Sequence, residues 1–330
     1  MMGKHIVSAP QVPRKILIVQ YSQTGQLARM ADAFAAPLEA DPGFTVERLV
    51  LRPQESFPFP WPFLRFFNTF PETVHLRPAP IETPAFAHDR YDLVVLAWTV
   101  WFLSPAQPVT AFLQHPHTRE RLAGTPVVSL IGCRNMWLMA FGTLKQLLDE
   151  AGLRLIDNVV KIDACNTGWS LLTTPLWMLT GRRKAAAWMP PAGISEADIA
   201  DCGRFGARAR EVLRAHADRV SRAEGVSPAE TSPRLDTMFR GMGAVRVNEK
   251  LILSERFAHR SFRLWGALLM AVGRISPMLR RIVLCGYILF LITIICTVLP
   301  VSALLKWLLA PVLRSRIQQQ KAHFAQPSGE

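Results

Sequence analysis

The chain has too few acidic residues to balance its basic ones. Against 38 Lys and Arg stand 25 Asp and Glu, which leaves a formal charge of +13 over 330 residues. The excess is uneven, with arginines crowded into 204–281 and the C-terminal tail. Such a balance suits nucleic acid or an anionic membrane surface. There is no zinc-finger spacing and no aromatic-plus-basic RNA-binding signature, so nucleic acid is not expected. The basic residues flank a long apolar stretch, which points to lipid. The five cysteines, Cys133, Cys165, Cys202, Cys285 and Cys296, form no Cys-x-x-Cys pair. That excludes a disulfide framework and a zinc site, so no metal is expected and reduced cytosolic thiols fit best. The first 13 residues lack the apolar core of a secretory signal. Two glycine motifs are missing as well. No Gly-x-Gly-x-x-Gly and no Gly-Lys-Ser/Thr phosphate loop occurs, which excludes the dinucleotide fingerprint and the P-loop NTPases.

What the chain does have is a strand, a tight loop and a helix start at 15–27. The apolar run 16–19 leads into Ser22-Gln23-Thr24-Gly25, and Leu27, Met30, Ala31, Phe34 and Leu38 then keep helical spacing. Free backbone N–H groups at a helix start, with small hydroxyls beside them, form a phosphate receptor. Ser22, Gln23, Thr24, Gly25 and Gln26 are therefore the first candidate site residues.

Further strand-like runs lie at 46–51, 92–97, 126–131 and 155–162, and helical patterns at 26–40, 107–115, 141–152 and 195–223. Apolar strands alternating with helices argue for an α/β fold, a five-stranded parallel sheet with helices on both faces. Without the dinucleotide fingerprint, the flavodoxin-like winding is favoured. This domain is expected over 15–224, with aromatic insertions at 56–71 and 166–191. The insertions are read as core-covering loops, or as an apolar cleft touching lipid. Residues 225–235 read as a linker, and 236–330 as a helical membrane-associated region. From 282 to 305 no residue is charged. As a helix these residues span roughly 36 Å, against a hydrocarbon core of about 30 Å. A single crossing is the simplest reading, and Pro300 allows a re-entrant hairpin instead. The excess of basic residues before the segment places the N-terminal domain in the cytosol.

In this winding a ligand sits at the carboxyl ends of the strands. Three loops should converge there: the phosphate loop, the loop Trp98-Thr99-Val100-Trp101-Phe102 after the third strand, and the loop Cys133-Arg134-Asn135-Met136-Trp137 after the fourth. Trp98, Trp101, Phe102 and Trp137 offer aromatic faces for a planar ring, and backbone amides in the same loops can bond its polar edge. Arg134 is the candidate for stabilising negative charge on a reduced ring. Asp163 and Asn166 are candidates for substrate contact. Cys133 is the one loop candidate for a nucleophile, and His88, His115 and His117 are possible partners for it.

The pattern resembles flavodoxin and the flavodoxin-like quinone reductases through Ser22, Thr24, Gly25, Thr99, Val100, Trp101 and Ser104. It departs from them at Leu27, where they carry a hydroxyl, and at Leu103, where they carry glycine. The resemblance implies FMN as cofactor. A closer resemblance covers most of 15–190. Tyr-Ser-Gln-Thr-Gly-Gln-Leu, Phe-Pro-Phe-Pro-Trp, Val-Trp-Phe-Leu-Ser-Pro and Gly-Cys-Arg-Asn-Met-Trp are similar to bacterial proteins labelled dialkylresorcinol-condensing enzymes. It implies a role in making long-chain resorcinol lipids beside a ketosynthase, at the cytoplasmic face of the inner membrane. Condensing two acyl chains into a ring gives a cyclohexanedione, which must lose two hydrogens to become a resorcinol, and a flavin can accept the hydride. Hence the expectation is an FMN-dependent oxidoreductase aromatising a lipophilic ring. The alternatives are an electron-transfer or quinone-reducing protein and a non-redox partner or scaffold for the ketosynthase.

Overall fold

The computed structural model describes residues 13–165, 167–184, 186–223 and 235–329. Arg14–Gln20 forms strand β1, in which Ile16, Leu17, Ile18 and Val19 are wholly buried. A strand with no polar alternation must be covered on both faces, as parallel-sheet interiors are. The other strands are β2 (Phe44–Val50), β3 (Leu93–Trp98), the short pair β4 (Val100–Trp101) and β5 (Ser104–Pro105), β6 (Pro126–Cys133) and β7 (Arg154–Ile162). The main sheet runs β2-β1-β3-β6-β7, with every ladder parallel. Counting its five strands alone, that order is 2-1-3-4-5, the flavodoxin-like winding. All five strands expected from the apolar runs are present.

The helices are α1 (Gln26–Glu39), α2 (Phe63–Asn68), α3 (Phe70–Val74), α4 (Gln107–Gln114), α5 (Pro116–Leu122), α6 (Leu138–Glu150), α7 (Thr167–Thr180), α8 (Glu196–Ala223), α9 (Glu249–Ile275) and α10 (Pro277–Ala325). From β1 the sheet grows one way through α1 and the other way through α4 and α6. Right-handed crossovers in opposite directions put these helices on opposite faces. α8 packs on α1 at close range, since a side chain at Gly206 would overlap the backbone of Phe34. The insertion at 166–191 contains α7, a helix rather than a plain loop. Pro175 lies inside it and breaks the sequence signal for helix.

The edge strand β7 would offer unpaired backbone to solvent. Residues 235–247 cover it: Val160 N–H donates to the Ala244 carbonyl at 2.9 Å, and the Asp157 carboxylate accepts from Met238 and Phe239 N–H. Leu235, Phe239, Val245 and Ile252, together with Phe324 and Ala325, join the main core. Parts of 236–330, read from sequence as a separate membrane region, thus complete the sheet domain. Most of the 225–235 linker lies outside the described residues.

A second, smaller core joins α3, α9 and α10 through Phe70, Val74, Leu269, Leu284, Tyr287 and Ile288. The Phe70 and Tyr287 rings stack at 4.8 Å. Arg280 grips Glu72 with two bonds of 2.7 and 2.9 Å and Asn68 with two more. Among the described residues, Pro277–Thr297 in α10 is the one helix long and apolar enough to cross a membrane, with mean hydropathy 2.1.

Candidate functional site

Residues 22–25 form the loop between β1 and α1, as their types dictate. Gly25 adopts φ 79°, which lets the chain turn without a Cβ clash, and no side chain caps the helix that follows. The first-turn N–H groups of α1 are left for a ligand or water. Beside them the Ser22 hydroxyl is buried with no hydrogen-bond partner. A buried orphan polar atom costs about 1–3 kcal/mol, which a hydrogen-bonding ligand or water would recover. Thr24 is half-buried next to it. Gln23 reaches away from α1, with its amide 3.4 Å from the carbonyls of Phe57 and Pro58 in the first insertion. The Gln26 side chain is committed elsewhere, because it donates to Ile194 O and accepts from Ile194 N, both at 3.1 Å. Gln26 therefore locks α1 to the chain before α8, with both ends of its carboxamide engaged there. Leu27, where the resembled families carry a hydroxyl, is a core residue beneath Gly132.

The second loop is a hairpin. Val100 pairs with Pro105 and Trp101 with Ser104, and the two residues between them, Phe102 and Leu103, both take positive φ, 49° and 60°. Two-residue hairpins favour this left-handed pair, normally through Asn or Gly. With larger residues it costs roughly 1–2 kcal/mol per position. Packing holds it: Phe102 lies against Phe66, Phe70 and Phe262. Trp101 is met nearly edge-on by Tyr21, Phe57 and Trp61 at 6.1, 5.0 and 5.5 Å. Trp61 carries a buried indole N–H without a partner, and Ser104 a buried hydroxyl without one. Thr99 and Val100 stay half-buried at the loop entrance.

Trp98 and Trp137, expected to face a planar ring, do not. Trp98 is 0 % exposed and its indole N–H bonds Ser129 on the neighbouring strand at 2.8 Å. Trp137 is 1 % exposed and packs edge-on to Phe141. An indole with no open face in the free protein cannot lie against a ligand. Both were read as loop residues because strand ends and helix starts blur in sequence, and each is instead the last or first buried position of its element.

In the third loop, Arg134 and Asn135 are half-buried. Burial pulls the Arg134 guanidinium below its ordinary range, opposed by the Asp163 carboxylate. Asp163 lies at the end of β7, where its carboxylate accepts from Cys165 N–H at 2.9 Å and the Thr174 hydroxyl at 3.1 Å. Asn166 lies outside the described residues. Burial, with Glu255 and Asp163 adding to it, pushes the Cys133 thiol well above its ordinary range. His88, His115 and His117 are no help to it, since they gather near Tyr91 and Phe86 before β3, at the opposite end of the sheet. A neutral, buried thiol without a basic partner is not a nucleophile.

Glu255 is the residue that sequence reading passed over. It is 0 % exposed, accepts from Met139 N–H at 2.7 Å and leaves one carboxyl oxygen buried and unpartnered. Burial lifts it from 4.5 to about 8. Its only sequence signal is an acidic residue on the inward side of a helix otherwise rich in arginine.

Solved structures with flavodoxin-type descriptions are similar to this chain. A flavoprotein in complex with FMN from Lactobacillus acidophilus NCFM shares 16% identity over 45% of this chain and 93% of that one, with TM-score 0.36. A flavodoxin from the domain Archaea shares 10% over 61% and 99%, with TM-score 0.34. Oxidised flavodoxin 1 from Bacillus cereus shares 15% over 58% and 95%, with TM-score 0.31. No family model matches the chain, and no curated protein does. The fold assignment rests on the strand order.

The sheet's carboxyl edge thus brings together an uncapped helix start, an orphan hydroxyl, an aromatic hairpin and a half-buried arginine. The uncapped amides of α1 and the Ser22 hydroxyl are the kind of donors a phosphate group would need. Beside them, the backbone of 99–104 and the third loop are left to meet a ring.

Proposed function

We propose that this chain is a membrane-associated, FMN-dependent oxidoreductase that aromatises a lipophilic cyclohexanedione ring in the making of a dialkylresorcinol-type lipid. The observation that carries the reading is the buried, unpartnered Ser22 hydroxyl at the uncapped start of α1. It is a receptor for one phosphate at the carboxyl edge of a sheet wound 2-1-3-4-5, and the chain lacks the fingerprint a dinucleotide needs.

Bound there, FMN would supply a two-electron acceptor: the substrate loses a hydride from one ring carbon and a proton from its neighbour, and becomes aromatic. Ser22, Thr24 and the first-turn amides of α1 hold the phosphate. The hairpin around Trp101 orients the ring and, with Phe57 and Trp61, excludes water. Arg134, half-buried in the third loop, offers positive charge where reduction leaves negative charge. α10 and its basic flanks hold the protein on the cytoplasmic face of the bacterial inner membrane, where a diacylated ring or a quinone resides. A ketosynthase is the proposed partner that supplies the condensed ring.

A second reading, quinone reduction or electron transfer, is favoured by one observation. Cys133 is unactivated and the histidines lie at the far edge, so the described site residues show no ready base, and electron transfer needs none.

Gentle detergent extraction followed by absorbance in the flavin bands tests both readings. Anaerobic bleaching by an alkylated cyclohexanedione supports the first. Reduction by NAD(P)H with quinone turnover, and no response to the dione, supports the second. Colourless protein that refuses added FMN overturns both.

A further inference from the structure

Both ends of α10 are docked on the same body. Near its start, Tyr287 lies 5.1 Å from Trp265 of α9, ring centre to ring centre. Near its end, Lys321 pairs with Glu249 in the first turn of α9 at 3.2 Å. Just beyond, the Ser328 hydroxyl donates to Asp157 of β7 at 2.8 Å and accepts from Asn158 N–H at 2.7 Å.

The two helices disagree in length between these shared points. Glu249 and Trp265 are 16 positions apart, about 24 Å of helix axis. Tyr287 and Lys321 are 34 positions apart, about 51 Å if straight. Between these contacts α10 has 18 positions more than α9 needs (34 less 16), so a straight α10 lying along α9 cannot make both. Pro300 and Pro311 fall within that stretch, and interior prolines are the usual cause of sharp helix bends.

We propose that this bent stretch is a monotopic membrane seat, which dips into one leaflet of an anionic bilayer and returns to the face it left. About nine residues each way reach about 14 Å, roughly half of a hydrocarbon core of about 30 Å. The surface at this end of α10 suits that occupant. Leu264 and Ile282 are 75% and 59% exposed, and Arg274 and Arg281, on either side of the α9–α10 turn, are exposed and can meet lipid phosphates. A chain that crossed fully would have to pull Lys321 and Ser328 out of the domain that holds them. The proposal rests on the membrane association proposed above and is independent of any flavin.

The test is sided labelling of the full chain. Cys285 and Cys296 are replaced by Ser, and the three remaining native cysteines are buried. Single cysteines are then introduced at exposed positions as Arg90→Cys, Arg274→Cys and Gln319→Cys. Inside-out and right-side-out vesicles receive a membrane-impermeant maleimide. Arg90 marks the side of the sheet domain. All three sites should label from that one side, at least tenfold over the other, and all should label in detergent. Labelling of positions 274 and 319 from opposite sides overturns the proposal. So does a position 319 that stays silent until detergent is added. Flotation of the unaltered chain with vesicles of anionic and of neutral lipid is scored separately. A chain that binds neither loses the membrane association as well as the seat, whereas one that floats but labels on both sides loses the seat alone.

Discussion

The backbone N–H of Met139, in the first turn of α6, donates to the carboxyl group of Glu255, 116 residues away on α9, at 2.7 Å. No side chain of α6's own sequence caps that helix, so the C-terminal part of the chain supplies the cap. The cap lies beside the loop that carries Cys133 and Arg134, so α9 helps to set that loop.

Glu255 makes stability depend on pH. Burial lifts it from 4.5 to about 8, so between those values the folded chain keeps a proton that the unfolded chain has released. Its contribution is fully present below about 4.5 and is lost as pH rises through about 8. The slope in that window is at most about 1.4 kcal/mol per pH unit. Glu255→Gln keeps an acceptor for Met139 and removes the titration. Thermal unfolding measured from pH 5 to pH 8 should lose that component of its slope in the variant.

Ser22→Ala separates binding from folding. A hydrogen bond to a charged phosphate is worth about 1.5–3 kcal/mol, so FMN should bind roughly 10- to 100-fold more weakly. The free protein loses only an unpaired hydroxyl, so its melting temperature should hold or rise slightly. Fluorescence titration and calorimetry on one preparation check both halves. Unchanged FMN affinity places the phosphate elsewhere.

Arg280→Ala should loosen α10 from α3. The guanidinium makes four bonds to Glu72 and Asn68 and is 19% exposed, so its loss is expected to cost about 1–3 kcal/mol. Arg280→Lys should recover only part, because an ammonium cannot span both partners as the planar fork does. Limited proteolysis of the α9–α10 turn, compared across the three chains, reads the effect.

Cys133 should behave as a core residue. Its thiol is pushed up by burial, so iodoacetamide at pH 8 should leave it unlabelled in the native protein and modify it on unfolding. Cys133→Ser should keep turnover within about threefold. Native alkylation in step with lost activity would restore the condensing reading that the geometry disfavours.

The legible part of this protein was the part written locally. Ile16 to Val19 and Leu93 to Ala97 read as strands because an interior parallel strand is apolar on both faces. Ser22–Gly25 read as a tight strand-to-helix turn because only certain small residues turn a strand into an uncapped helix. The aromatic loops were half legible. Trp101 and Phe102 lie in the loop after β3, as expected, but whether an indole faces a site or a core depends on its neighbours. Ser129 claims Trp98, and Phe141 packs on Trp137.

By itself, then, the sequence determined the alternation of strands and helices, the winding, the tight loop between β1 and α1 and a long apolar stretch inside a helix. Those follow from propensity and periodicity over a few residues. Tertiary structure alone decided that Gln26 serves Ile194, that Glu255 caps α6 and that Ser328 ties the chain's end to Asp157. These contacts join residues 168, 116 and 171 positions apart. A single polar residue at such a distance leaves no periodic trace, because its partner is chosen by packing and not by spacing.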